Sequence, residues 1–190
     1  MPQEIKFGTD GWRGIIADDF TFENVRRVAA AIASYVLKYE EAQHGVIVGY
    51  DARFASPQAA RIVAEVIASA GIPVKLANDY TPTPAVSYAV KNQGAAGGVM
   101  VTSSHNPWNW NGVKFKSKFG GSATPSIMKK IEDELAAGAA PKGANAAIEE
   151  VDLKKPYVAA VCAFADMDRI AKTKFKFAVD AMYGLSLIHI

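Results

Sequence analysis

The sequence predicts an α/β fold: a layered domain with a mostly parallel mixed sheet flanked by helices, followed by an incomplete second α/β domain. Two observations predict this class. Short β-branched apolar runs alternate with stretches of helical periodicity from residue 21 to residue 135, which is typical of strand–helix–strand units. In addition, 50% of the 190 residues are hydrophobic and 21% are charged, which is the composition of a globular protein.

The first elements follow from local signals. Apolar residues recur at helical spacing over 21–40, and Thr21 is a suitable N-cap for this helix. The β-branched run at 46–48 predicts a buried strand. Ser56-Pro57 then predicts the beginning of a second helix, which we expect to end at Gly71 because glycine commonly terminates helices.

The alternation continues toward the carboxyl terminus. We predict strands at 74–77, 97–101 and 112–116, a short helix ending near Lys91, and a helix beginning at Thr124-Pro125. Residues 136–147 are rich in alanine and glycine, which is typical of an exposed connection. Beyond them we predict a helix near 156–165 and a strand at 175–180. The expected domain organisation is a first domain at 1–137, a linker at 138–155 and the truncated beginning of a second domain at 156–184.

The last six residues, 185–190, read LSLIHI, and a common sequencing-library adapter encodes this hexapeptide in one reading frame. We therefore expect the tail to derive from an adapter and the gene to be truncated. The tail is left out of the fold prediction for that reason.

Charge and hydropathy exclude several classes of function. There are 21 Lys and Arg residues against 19 Asp and Glu residues, a net charge of +2, so the sequence predicts no basic field for nucleic acid or an anionic membrane. No apolar run approaches the roughly 18 residues that a membrane span needs. A single cysteine excludes an internal disulfide framework. We expect a soluble cytoplasmic protein.

One polar loop carries residue types suited to catalysis. The segment Thr102-Ser103-Ser104-His105-Asn106-Pro107 directly follows a predicted strand, and ligands of open α/β sheets bind at the carboxyl ends of strands. A hydroxyl nucleophile needs a proton acceptor and a nearby cation, which His105 and Lys114 supply. The alternative is a polar turn in which the Ser and Asn side chains bind the backbone, because a Ser-His pair alone is weak evidence.

The complete set of motifs resembles the α-D-phosphohexomutases, the family of phosphoglucomutases and phosphomannomutases. The 102–107 segment, with NGVK at 111–114, resembles the family's active-site loop. Further segments agree in order and spacing: FGTDGWRG at 7–14, GYDAR at 49–53, TPTP at 81–84 and VDAMYG at 179–184. The resemblance covers nearly all of residues 5–184.

The resemblance implies a phosphoryl-transfer mechanism. It implies that Ser104 is phosphorylated at rest and passes its phosphoryl group to a hexose monophosphate, through a bisphosphorylated sugar. Lys114 and Arg13 match family positions for proton transfer and for stabilising the transferring phosphate, and His105 matches a supporting residue. Thr102, Asn106 and Arg53 are the predicted substrate- or phosphate-binding residues.

The sequence also allows non-catalytic roles for these cations. Arg13 in an exposed glycine-rich turn and Lys114 as a solvent-facing strand lysine are alternatives. The Asp51 and Arg53 side chains could equally form an internal ion pair or cap.

The resemblance also implies Mg²⁺, bound by the phosphate on Ser104 and by aspartates of an Asp-Gly-Asp loop in the second domain. The only Asp-Gly in this chain is Asp10-Gly11, so we expect the metal site to be incomplete and the isolated chain to be inactive or nearly so. The alternatives are a serine-nucleophile phosphatase, which would release phosphate to water, a non-catalytic phosphosugar-binding module, and a folding unit without function of its own.

Overall fold

A computed structural model of the protein describes residues 5–8, 11–178 and 180. Within these residues the strands are β1 (Trp12–Ile15), β2 (Val46–Tyr50), β3 (Val74–Ala77), β4 (Gly97–Val101), β5 (Trp110–Ser117) and β6 (Ile148–Val151). The helices are α1 (Phe22–Tyr39), α2 (Ser56–Ser69), α3 (Thr83–Gln93), α4 (Pro125–Ala136), α5 (Lys154–Phe164) and α6 (Met167–Ala171).

The strands form one mixed sheet in the order β1-β5-β4-β2-β3-β6. The ladders β4–β2, β2–β3 and β3–β6 are parallel, whereas β5 is antiparallel to both β1 and β4. This confirms the predicted α/β class with a mostly parallel mixed sheet. Helices α1, α2 and α4 cover one side of the sheet and α3 covers the other.

The alternating side chains of β5 define two surfaces. Val113 and Phe115 point into the core beneath α1, together with Trp12 of β1, and we call this side the apolar face. Lys114 lies opposite Met100 of β4, so both point to the α3 side, which we call the cationic face. The site described below lies on the cationic face.

Helix-capping signals in the sequence were good guides to the helices. Thr21 caps α1, since its Oγ1 accepts a hydrogen bond from the Asn24 N–H at 3.2 Å. Thr124 caps α4 in the same way, accepting from the Ile127 N–H at 3.4 Å. The predicted strands at 74–77 and 97–101 match β3 and β4.

Three features differ from the prediction. Strand β1 was not foreseen, and β6 lies inside the predicted 138–155 linker, where it extends the sheet beside β3. Both are four-residue edge strands, and β6 has two glutamates at its centre, so neither shows the apolar run of a buried strand.

The third difference concerns the predicted strand at 175–180. Its described residues, 175–178 and 180, adopt no strand, and no strand among residues 5–8 and 11–178 pairs with them. A strand without a partner has no acceptor for its backbone N–H groups. Val179 and the segment 181–190, including the predicted adapter tail, lie outside the described residues. No helix in the described part has both the length and the hydropathy to cross a membrane.

Candidate active site

The loop between β4 and β5 presents one hydroxyl to solvent. Ser104 is exposed and its backbone is left-handed, with φ of +57°, a conformation that non-glycine residues adopt only when the surroundings enforce it. The neighbouring Ser103 is fully buried, and its Oγ has no hydrogen-bond partner within the described residues. Of the two adjacent serines, Ser104 is therefore the one that a ligand can reach.

Hydrogen bonds within the loop fix the position of Ser104. The buried Thr102 hydroxyl accepts from the Ser104 N–H at 3.0 Å, and the Asn106 N–H donates to the Ser103 carbonyl at 3.1 Å. His105 Nδ1 lies 3.4 Å from Ser104 Oγ, a long contact for a hydrogen bond. Thr102, predicted to bind phosphate, thus uses its hydroxyl within the loop.

The two predicted catalytic cations share the cationic face of the sheet. Arg13 lies opposite Gly112 on the β1–β5 ladder, and Lys114 is two residues further along β5. Arg13 Nη1 donates to Asn106 Oδ1 at 2.8 Å, which links it to the Ser104 loop. Arg13 is thus on a strand and not in an exposed turn. Lys114 is only 6% exposed and does not face solvent.

A cleft of about 460 Å³ opens beside Ser104. It lies at the carboxyl ends of β2 and β4, and ligands of open α/β sheets typically bind at the carboxyl ends of strands. Its walls include Asp51, Met100, Thr102, His105 and the TPTP segment at 81–84. Lys114 is the cross-strand neighbour of Met100, so it belongs to the same side of the sheet as this cleft.

Arg53 contacts the backbone of the loop that bears Ser104. Its Nη1 donates to the carbonyls of Pro107 (2.7 Å) and Trp110 (3.0 Å), and its Nη2 donates to those of Ser104 (3.0 Å) and Asn106 (2.7 Å). The side chain is only 5% exposed, and its Nε faces Asp51 Oδ2 at 3.5 Å.

These contacts give Arg53 a structural role in the loop, and its predicted phosphate-binding role stays a prediction. The two Nη groups make four hydrogen bonds to backbone carbonyls, whereas the buried Nε has no hydrogen-bond partner within the described residues. Burial lowers the pKa of the Arg53 guanidinium, Asp51 opposes this shift and the charge of Arg13 adds to it. An arginine remains protonated under such perturbation. The ion pair with Asp51 is the alternative that the sequence had left open.

Comparisons with known proteins identify the family. Residues 4–142 match the phosphoglucomutase/phosphomannomutase α/β/α domain I. The chain belongs to the phosphoglucomutase/phosphomannomutase family. Over 92% of its length it is 32% identical to a phosphoglucosamine/phosphogalactosamine mutase of Sulfurisphaera tokodaii, of which it covers 38%. Over 58% of its length it is 41% identical to a phosphoglucomutase of Staphylococcus epidermidis, of which it covers 20%.

Solved structures agree with this membership. A candidate phosphomannomutase from Thermus thermophilus superimposes with a TM-score of 0.79 and 37% identity, over 90% of this chain and 38% of that one. The Paramecium phosphoglucomutase parafusin shares the fold, with a TM-score of 0.78 at 19% identity, over 94% of this chain and 40% of that one. The chain therefore spans 20–40% of the length of these relatives.

The predicted magnesium site has few candidate ligands among the described residues. Nowhere in the described part do three or more His, Cys, Asp or Glu side chains cluster as a metal would require. A hard divalent cation takes several oxygen ligands, and a phosphate on Ser104 would supply only part of that set. The Mg²⁺ requirement stays a prediction.

Two buried residues to which the sequence assigned no catalytic role, Asp51 and Asn111, support the site through hydrogen bonds. Asp51 Oδ1 accepts hydrogen bonds from the Arg53 N–H (3.0 Å) and from Ser56 Oγ (2.8 Å). The buried Asn111 donates to the Phe54 carbonyl (3.1 Å) and to Ser56 Oγ (2.9 Å). Both lie within motifs that the sequence displays, GYDAR and NGVK, but their partners are visible only in three dimensions.

Proposed function

We propose that this chain is the phosphoryl-carrier domain of a phosphohexomutase that interconverts hexose 1-phosphates and hexose 6-phosphates. The observation that carries the proposal is the Ser104 hydroxyl: exposed, left-handed, fixed within its loop and open to a cleft on the sheet face that bears Arg13 and Lys114. Phosphoserine carries about −1.5 to −2 charges at neutral pH, so cations on that face are what a resting phosphoenzyme needs.

The proposed transfer exchanges one P–O bond for another. A hydroxyl oxygen of the hexose monophosphate attacks the phosphorus on Ser104, the bond from phosphorus to Oγ breaks, and a bisphosphorylated sugar forms. The proton of the attacking hydroxyl passes by way of Lys114 to the departing Ser104 Oγ, and in the return transfer, in which Oγ attacks the other phosphate, a proton moves from Oγ to the departing sugar oxygen. Arg13 stabilises the charge on the moving phosphoryl group, because its guanidinium keeps its proton.

His105 takes a supporting role in this proposal. Its Nδ1 is near enough to Ser104 Oγ to orient the hydroxyl once the loop contacts a substrate. Asn106 acts through Arg13, whose guanidinium it accepts a hydrogen bond from. The hexose phosphate is the only partner that the proposal requires.

According to this proposal, the chain by itself supplies only part of the active site, which we call a half-site. Its relatives are phosphohexomutases of which it covers two fifths or less. Enclosing the sugar and binding its second phosphate need groups beyond Ser104, Arg13 and Lys114, and loss of positioning alone can reduce a rate by about 10²-fold. We expect the 190-residue chain to turn over glucose 1-phosphate and mannose 1-phosphate no faster than background.

The test uses two polypeptides: this chain, and the product of the gene read from an independent assembly beyond the codon for Gly184. We expect mutase activity only in the longer product, and its loss in Ser104→Ala. Ser103→Ala is the matched control, because it removes the adjacent buried hydroxyl and should leave the activity in place.

Four results would contradict the proposal. Robust metal-dependent turnover by the 190-residue chain would overturn the half-site assignment. Activity that survives Ser104→Ala would overturn the carrier role, and ligand binding without turnover would indicate a binding module. Release of free phosphate in place of sugar isomerisation would indicate a phosphatase.

A further inference from the structure

We infer that Arg53 is a positioning residue that fixes the Ser104 loop in the conformation used for phosphoryl transfer; the inference rests on the proposed function for its catalytic part only. Four loop carbonyls, those of Ser104, Asn106, Pro107 and Trp110, converge on this one guanidinium. They span the loop from its exposed serine to the first residue of β5.

The convergence sets the direction of the loop's dipoles. All four carbonyl oxygens point to the Arg53 guanidinium. Hydrogen bonds to an ionised donor are roughly twice as strong as neutral ones, and the planar guanidinium can serve several acceptors at once. The guanidinium therefore holds four backbone carbonyls of the loop in one arrangement.

Arg53 also joins two loops that are far apart in sequence. It stands at the end of β2, where Asp51 orients it, and it binds residues more than fifty positions later. Asn111 makes a second connection, by donating to Phe54 and Ser56 of the same β2–α2 segment. Of the two connections, only that through Arg53 reaches Ser104 itself.

The contact with Arg53 helps to maintain the left-handed backbone of Ser104. A serine at φ of +57° is unfavourable in an isolated chain, so neighbouring contacts must maintain it. The Ser104 carbonyl accepts from Arg53, and its N–H donates to Thr102 Oγ1, so the residue is fixed on both sides. We expect Ser104 to leave this conformation when the guanidinium is removed.

The first experiment needs no catalysis. Hydrogen exchange of the Ser104, Asn106 and Trp110 amides is measured by NMR in the 190-residue chain, because each of them donates within the loop. In Arg53→Ala we expect roughly tenfold or faster exchange at these amides, with the β4–β5 ladder unchanged. Arg26→Ala is the control, since Arg26 is exposed and its ion pair is with Glu23.

A conservative variant and chemical rescue complete the test. Arg53→Lys keeps a charge but cannot reach four carbonyls from one ammonium, so we expect exchange between that of the wild type and that of Arg53→Ala. Added guanidinium ion should slow the exchange in Arg53→Ala, whereas methylammonium should not. If Arg53→Ala does not fold, Arg53→Lys provides the comparison. Unchanged loop exchange in either folded variant overturns the inference.

The second experiment separates positioning from the proposed reaction. In the longer gene product we expect Arg53→Ala to lower kcat about 10²-fold with KM nearly unchanged, because the sugar does not contact Arg53. A rise in KM at unchanged kcat would overturn the positioning role. The two claims can fail separately. If Arg53→Ala speeds hydrogen exchange in the loop but Ser104→Ala keeps its activity, the proposed function is contradicted and the structural role of Arg53 stands.

Discussion

The two faces of β5 bury different kinds of side chain on the same strand. On the apolar face, Val113 and Phe115 pack into the core under α1. On the cationic face, Lys114 and Lys116 are almost as deeply buried, with 6% and 5% exposure. Removing an ammonium from water is unfavourable unless it finds partners, whereas removing an aromatic ring from water is favourable.

On β5, the apolar face packs into the core, and the cationic face carries the lysine that the proposed mechanism uses. Packing explains the apolar face completely. It does not explain two lysines in a buried strand, one of which, Lys116, donates to Ser122 Oγ at 3.2 Å. Lys114 lies on the side of the sheet where the cleft beside Ser104 opens, which fits the role proposed for it.

The largest expected effect comes from truncating the apolar face. Phe115 is fully buried and meets the Tyr35 ring edge-on at 5.5 Å between centroids. Phe115→Ala leaves a cavity there, and we expect the free energy of unfolding to fall by about 3–5 kcal/mol, measured by urea denaturation. Lys114→Met, its neighbour on the cationic face, keeps an aliphatic side chain in place and should cost much less. Equal losses would contradict the division between the faces.

A smaller loss is expected where the cationic face meets the Ser104 loop. A methyl group on Gly112 would lie 2.5 Å from the Trp12 carbonyl oxygen and 2.9 Å from that of Thr102. Both are backbone atoms and must move, so Gly112→Ala should lower the free energy of unfolding by about 1–3 kcal/mol.

Gly121→Ala is the matched control for this crowding. A methyl group there would meet nothing within 4 Å, so its effect should stay within about 0.5 kcal/mol. Thermal unfolding of the two variants measures the difference. A Gly112→Ala protein as stable as Gly121→Ala would mean that the loop and β1 can separate without loss.

Local sequence signals predicted the elements of the apolar face better than the contacts of the site. Helices α1 and α4 were evident from their periodicity and from Thr21 and Thr124, because capping depends on residues three apart. The likeness of the 102–107 loop to a known active site pointed to Ser104. The destination of Arg53 was not predictable, because its acceptors are carbonyls more than fifty residues away and any residue type could supply them.

Charges outside the apolar face allow a pH test. Glu134 of α4 accepts hydrogen bonds from Lys38 (2.8 Å) and Ser34 (2.6 Å) of α1, and the bond from Lys38, followed by that from Ser34, holds the pKa of Glu134 below its ordinary value. The folded state therefore binds this proton less readily than the unfolded state. The resulting stabilisation is complete above pH 4.5 or so and is lost as the pH falls through the lowered pKa.

Glu134→Gln removes this titration. We expect the variant to be less stable than the wild type at pH 7, by less than Gly112→Ala, and the gap to narrow as the pH falls below about 4.5. Urea denaturation at several pH values measures it. Asp133→Asn is the control, since Asp133 is exposed and pairs with Lys129 within the same helix. A gap that stays constant down to pH 3 would contradict the lowered pKa.

The smallest effect tests strain beside the cationic face. Ala55, between Phe54 and the first residue of α2, has φ of +64°, the same left-handed region as Ser104. This conformation costs an L-residue about 1–2 kcal/mol. Glycine adopts it without strain, but it loses more conformational entropy on folding than alanine, which costs about 0.5–1 kcal/mol. Ala55→Gly should therefore raise the free energy of unfolding by about 0.5–1 kcal/mol in urea denaturation.

Ala52→Gly distinguishes relief of strain from a general effect of glycine. Ala52 lies three residues earlier in the same loop and has no positive φ, so glycine there should only add unfolded-state entropy and lower the stability. Opposite signs for the two variants mean that the β2–α2 loop stores strain next to Arg53, as the β4–β5 loop does at Ser104. Equal destabilisation would mean that the left-handed backbone at Ala55 carries no strain, and the parallel between the two loops would fail.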